Sequence, residues 1–239
     1  MTRLARYAIV LLPALTAGCH RNPVVPTASA PANLDSILTL TLTDPVGDQQ
    51  LAPQDAPPVL VAYPPADVTS VRLGVDGQYL YAQVTYAATL PSAAVTIPPQ
   101  QGMPQQFVRE QGISVNCNVD GDDRNGASAF PVITGIDIFF AIQVRYGKST
   151  MAYANFDFAN GDIHQNRRQI DGVIVDGGPG TNRVTARWDV SGLGAFFPRG
   201  RTVVVGGWSE AESSDAAERT LYHHFAYDPY TASPWTIPR

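Results

Sequence analysis

Residues 36 to 44, SILTLTLTD, set Leu38, Leu40 and Leu42 in alternation with Thr39, Thr41 and Thr43. A period of two sends the leucines to one face of an extended strand and the threonines to the other. The same pattern returns nine more times down the chain, always between Gly, Pro, Asn or Asp. Val68 to Val75 and Tyr79 to Ala87 form a hairpin pattern around Asp76-Gly77, a strong turn signal. FVREQGISVNCNVD, GIDIFFAIQVRYG, STMAYANFDF, GVIVDGG, NRVTARWDV, RTVVVGGWSE and RTLYHHFAYD supply the rest. About ten strands with short connections predict a β-sandwich. Composition agrees, with 20 Gly, 20 Pro and only 15% charged residues in 239, and no long segment has the 3.6-residue period of a helix. Pro57-Pro58, Pro64-Pro65 and Pro98-Pro99 belong in loops or at sheet edges, because proline cannot donate to a ladder. No repeat of solenoid or propeller length is present, so one domain is expected over residues 36 to 239.

The N-terminus reads as a targeting segment. Arg3 and Arg6 precede an apolar run from Tyr7 to Ala17, and LTAGC ends in Cys19. That run is shorter than the roughly 20 residues that span a bilayer. The segment resembles a bacterial lipoprotein signal, departing from it in Thr16, where a leucine is usual. The resemblance implies removal of residues 1 to 18 and lipidation of Cys19, with His20 after it compatible with the outer membrane. Residues 19 to 35, rich in Pro, Ala and Ser, read as a tether between this membrane anchor and the domain. Cys117 is then the only other cysteine, and its apolar-parity position makes it a small buried hydrophobe. The formal charge of −5 and the scatter of 16 basic residues exclude a phosphate-tracking surface, hence nucleic acid.

The alternation Ile113, Val115, Cys117, Val119 runs into NVDGDDRNGA, where close carboxylates repel one another unless water, a base or a cation takes up the field. Calcium accepts about six to eight hard oxygen ligands. Asp120, Asp122, Asp123 and Asn125 could supply several, and Asp137 could join them from the next strand. The loop is not an EF-hand, since Arg124 and Pro131 hold its fifth and twelfth places. The other reading is a solvated turn neutralised in part by Arg124, since Asp, Asn and Gly are ordinary turn residues. DPVGD, with Asp44 and Asp48, is a second and weaker cation candidate.

The succession of DPVGD at 44 to 48, ADVTSVRLGVDGQYLYAQVTY at 66 to 86, NVDGDDRNGA, GIDIFF at 135 to 140 and VTARWDVSGLG at 184 to 194 resembles the DOMON-like sandwich superfamily. Within it, the likeness is to family-nine carbohydrate-binding modules and related domains of secreted bacterial lipoproteins. It spans roughly residues 36 to 230. It implies a jelly-roll-like antiparallel sandwich and, as in some members, a structural calcium ion. Ligands differ by branch: some members grip sugars between aromatic side chains, and others hold haem.

Trp208, Trp235 and Tyr222 are the aromatic residues expected at a binding rim, Trp208 at the end of a strand and Trp235 in a Pro-flanked tail. Trp188 shares parity with Val184 and Ala186 and is expected in the core. GGWSEA at 206 to 211 approaches a nucleophile elbow, but Ala211 replaces its last glycine and the strand-turn-helix context is missing. The expectation is a non-catalytic binding or accessory module at the bacterial envelope, with carbohydrate as first ligand class and possible structural calcium. The alternative is a structural or interaction lipoprotein that binds an envelope protein and no small ligand.

Overall fold

The alternating segments become strands of one large antiparallel sheet. The computed structural model describes residues 28–49, 63–99, 104–124, 126–129, 133–156, 168–214 and 221–239. The strands are β1 (Leu38–Thr43), β2 (Val68–Asp76), β3 (Tyr79–Tyr86), β4 (Val95–Ile97), β5 (Gln106–Asn118), β6 (Ala127–Ala129), β7 (Ile133–Ile136), β8 (Ile138–Arg145), β9 (Met151–Phe156), β10 (Arg168–Gly177), β11 (Arg183–Asp189), β12 (Thr202–Ser214) and β13 (Leu221–Thr236). The main sheet runs β1-β2-β3-β11-β10-β9-β8-β5-β12-β13, with β4 beside β5, while β6 and β7 form a separate pair. Its ten-strand path is made of the ten segments that the two-residue period marks out. The short β4, β6 and β7 carry too few residues to show a period.

Although β1 and β13 are not hydrogen-bonded to each other, they approach within 8 Å between Cα atoms. The sheet therefore rolls up until its ends nearly meet, and its inner face closes on one core in the manner of a sandwich or barrel. Every long strand contributes to that core: Val71 and Leu73, Val84, Ile113 and Cys117, Phe140, Trp188, Val205 and Trp235. Aromatic edges meet there, Phe140 against Trp188 at 5.2 Å and against Phe197 at 6.2 Å, spacings at which edge-to-face contact is attractive. Trp188 is 1% exposed, as its parity predicts.

Two boundaries differ from expectation. The β2-β3 turn lies at Gly77-Gln78, because Asp76 pairs with Tyr79; Gly77 takes the positive φ of 53° that such a tight turn demands. More consequential is β12, which continues through Trp208 to Ser214, paired with β5 on one side and β13 on the other. Trp208, expected at the end of its strand, is followed by serines and glutamates that here continue it.

The chain before β1 is already part of the domain. Ala30 donates its N–H to the Val175 carbonyl at 3.2 Å, Asp35 pairs with Arg72 at 2.7 Å, and Ile37 and Leu38 bury against Tyr81. The last residues of the expected tether thus pack against the sheet.

Candidate functional site

At the seam between the first and last strands, three segments distant in sequence deliver carboxylates to one point. Asp44 follows β1 and Asp48 ends the DPVGD turn; Asp228 projects from β13. One oxygen of each lies within 4.8 Å of the others. Asp67, just before β2, joins them from the side: its Oδ2 accepts the Gly47 N–H at 2.8 Å. Asp228, fully buried, accepts the Val68 N–H through Oδ2. Three further oxygens, Asp44 Oδ2, Asp67 Oδ1 and Asp228 Oδ1, are buried and have no hydrogen-bond donor. None of the four carboxylates takes part in an ion pair among the described residues.

That arrangement is electrostatically costly as it stands. Burial, and then the charges of Asp44, Asp48 and Asp67, push Asp228 well above the usual carboxylate range, against the opposing Val68 hydrogen bond. Burial and then Asp48 raise Asp44, against an opposing side-chain hydrogen bond with Asp228. Asp67 is raised by burial first and Asp48 second. Buried polar atoms are nearly always satisfied, so orphaned carboxylate oxygens aimed at one point describe a place for a proton or a cation. With oxygen as the sole donor type, the group suits calcium, magnesium or manganese and not a soft metal.

The acidic turn after β5 is built differently. Asp122 binds Arg124 through two side-chain hydrogen bonds, 2.8 and 2.9 Å, and this arginine holds its carboxyl below the usual range. Asp120 accepts the Asp122 N–H at 2.8 Å, and Asp123 accepts from the Asn118 amide at 3.0 Å. Asp137 does come beside this turn, its Oδ2 accepting the Val119 N–H at 2.7 Å. These oxygens have partners within the turn itself, so its geometry is accounted for without an ion. Asn125 lies outside the described residues, as does Cys19.

The aromatic residues fall on two faces. Trp235, expected at a rim, is 5% exposed and packs in the core at 6.4 Å from Phe197. The correction has a physical cause: Pro229 and Pro234 do not end β13, because it is the last strand of the sheet and its free edge tolerates residues that cannot donate. Trp208 also differs from expectation. It stands in mid-strand on the outer face, 4% exposed, with Phe139 at 6.0 Å and its Nε1 donating to Glu210 at 3.1 Å. Tyr222 lies in β13, opposite Ser213; its side chain is outside what the structure describes.

Around Trp208 the outer face of β9, β8, β5 and β12 carries a depression of about 50 Å³. Gly112 of β5 lines it, together with Trp208, Glu210, Gln143, Phe139 and Tyr153. A Cβ on Gly112 would meet only the Glu210 side chain, at 3.7 Å. Neither core packing nor a positive φ therefore requires glycine here, in the middle of a 13-residue strand. Ser209, of the elbow-like GGWSEA, sits in the same strand as Trp208 with Oγ donating to the Gly112 carbonyl at 3.2 Å, and no turn presents it as an elbow would.

Sequence reasoning placed Asp44 and Asp48 second and missed Asp67 and Asp228. For Asp228 a signal existed: it shares parity with the fully buried Tyr230, and an inward-facing aspartate in a strand needs a partner. Among the described residues, no helix is long and apolar enough to cross a membrane. Comparison of this chain with protein families, with curated proteins and with solved structures finds no match.

Proposed function

We propose that this chain is a non-catalytic binding module of the bacterial envelope, exported and anchored through Cys19, that presents the outer face of β9, β8, β5 and β12 to a carbohydrate. The observation that carries the reading is Gly112. Glycine inside a strand weakens it by roughly 0.5–1 kcal/mol relative to alanine, and where packing does not demand it, a close-approaching ligand is a recurrent reason. Its surroundings suit a polyhydroxylated ring: the aromatic rings of Trp208 and Tyr153 for its C–H groups, and Glu210 and Gln143 for its hydroxyls. At about 50 Å³ the depression admits one substituent, such as a hydroxymethyl group, while the rest of the ligand lies across the sheet.

The interaction-protein reading has less to support it. Among the described residues, the exposed large apolar side chains are Val46 at 70%, Met151 at 39% and Val204 at 38%. They stand on a loop, on β9 and on β12, and form no common patch of the kind that marks a protein interface.

The test is a glycan array probed with the parent and with Gly112→Val. Valine suits a strand and its Cβ meets only the Glu210 side chain, so the variant is expected to keep its fold and lose its glycan. Binding that survives the substitution, or a parent that binds no glycan, would reject the reading. Metabolic labelling with a fatty-acid analogue, absent in Cys19→Ser, tests the anchor.

A further inference from the structure

We propose that Asp44, Asp48, Asp67 and Asp228 bind a calcium ion, and that this ion closes the seam between the first and last strands of the sheet. The inference is independent of the ligand reading above.

Four observations carry it. First, the carboxylates converge from separate segments: Asp44 and Asp48 after β1, Asp67 before β2, Asp228 in β13. The triad oxygens lie within 4.8 Å of one another, the spacing of ligands around one ion. Second, Asp228 and Asp67 are 0% and 3% exposed, and each directs one carboxylate oxygen to no donor, as does Asp44. Third, no basic side chain among the described residues pairs with any of them, although the chain spends ion pairs on exposed positions such as Asp35 and Asp122. Fourth, the place is where closure is otherwise weakest. β1 and β13 are neighbours without a ladder between them. The Val68 N–H bond to Asp228 and the Gly47 N–H bond to Asp67 hold the same segments in place from either side.

Calcium fits better than magnesium. The converging triad, with Asp67 beside it, offers several carboxylate oxygens from three segments in an irregular shell, which calcium accepts, whereas magnesium keeps its waters and takes one or two carboxylates. The competing account is a proton shared between Asp44 and Asp228, which also relieves the repulsion of two close carboxylates. The two accounts make opposite forecasts.

The full chain is unfolded thermally in mildly alkaline buffer, first with a chelator and then with stepwise calcium. A ligand of the native state raises Tm by an amount that grows with the logarithm of its concentration; at a hundredfold excess over Kd the rise is roughly 5 °C or more for a chain of this size. Asp228→Asn and Asp48→Asn each remove one like charge, so each is expected to melt higher than the parent in chelator and to lose most of the calcium increment. Asp122→Asn is expected to keep the increment in full. Hydrogen exchange on the parent supplies a readout that needs no variant: calcium should slow the amides of β1 and β13 above all others. A parent indifferent to calcium overturns the proposal in favour of the shared proton. A response abolished by Asp122→Asn but kept by Asp228→Asn overturns it in favour of the turn after β5.

Discussion

Trp235→Ala separates a core indole from a ligand-stacking one. At 5% exposed, within a cluster that includes Phe197, Val203 and Ile237, the indole buries on the order of 200 Å². At ~25 cal/mol per Å² that is ~5 kcal/mol of transfer free energy, an upper value because unfolded chains already bury part of their apolar surface. Large aromatic truncations in cores cost about 3–5 kcal/mol once the cavity has partly relaxed. For a domain of about 200 residues this lowers Tm by on the order of 10 °C. Trp235→Phe is expected to cost much less, about 1–2 kcal/mol, because it keeps a ring in place and removes an indole Nε1 that is buried without an acceptor. The assay is equilibrium urea unfolding followed by circular dichroism, with glycan binding measured in parallel on the folded fraction. If Trp235→Ala unfolds at the parent's midpoint, the indole does not hold the core, and the packing of β13 described above is wrong.

The acidic seam makes stability depend on pH in a direction opposite to most carboxylates. Folding raises Asp44 from 3.8 to about 6 and Asp228 from 3.8 to about 8, so between those limits the native state holds more protons than the unfolded chain, and stability must fall as pH rises through that window. Asp48 and Asp67 add their charges to this pair, and the buried Tyr230 lies near Asp44. In chelator, urea midpoints should therefore decline from about pH 5 to 8, and calcium should flatten the decline; a midpoint that climbs across this range in chelator would contradict the geometry. Cys117 is 2% exposed, and burial, with the Asp137 charge second, pushes its thiol up to about 12; maleimide should label it only when the protein unfolds, and rapid native labelling would place it outside the core. Arg124→Ala breaks an ion pair at the surface and should leave both the melting curve and the calcium response unchanged; a lost response would implicate that turn in ion binding.

The ten strands of the main sheet were legible because each carries its own evidence: a two-residue period is local, and so are the Gly and Pro that end it. What the period could not supply is which strand lies beside which. The neighbours β3-β11, β5-β8 and β5-β12 join residues far apart in sequence, and pairing decides what a side chain meets. Trp208 illustrates this. The residues after it look polar enough for a loop, yet β5 and β13 flank them, and a strand with neighbours on both sides keeps serines and glutamates extended by ladder bonds that no local propensity records. Trp235 was misjudged for the converse reason, since proline forbids a central strand but not the last one, and position in the sheet is a property of the whole chain.

The same distinction orders the two acidic groups. NVDGDDRNGA is conspicuous because its charges are adjacent in sequence, but adjacency on an exposed turn is the circumstance in which like charges cost least, screened by water and answered by one arginine at 2.8 Å. Asp44, Asp67 and Asp228 are inconspicuous singly. They become demanding only when closure of the sheet brings the first two against the fully buried Asp228, where charges of the same sign interact more strongly than in water. A charge cluster made by the fold thus gives a stronger reason to expect a ligand than one made by the sequence, because the chain has sacrificed solvation to form it. Asp228 states that reason most sharply: it is buried in the last strand with Oδ2 accepting the Val68 N–H and Oδ1 without a donor, while the carboxyl of Asp44 stands within hydrogen-bonding reach.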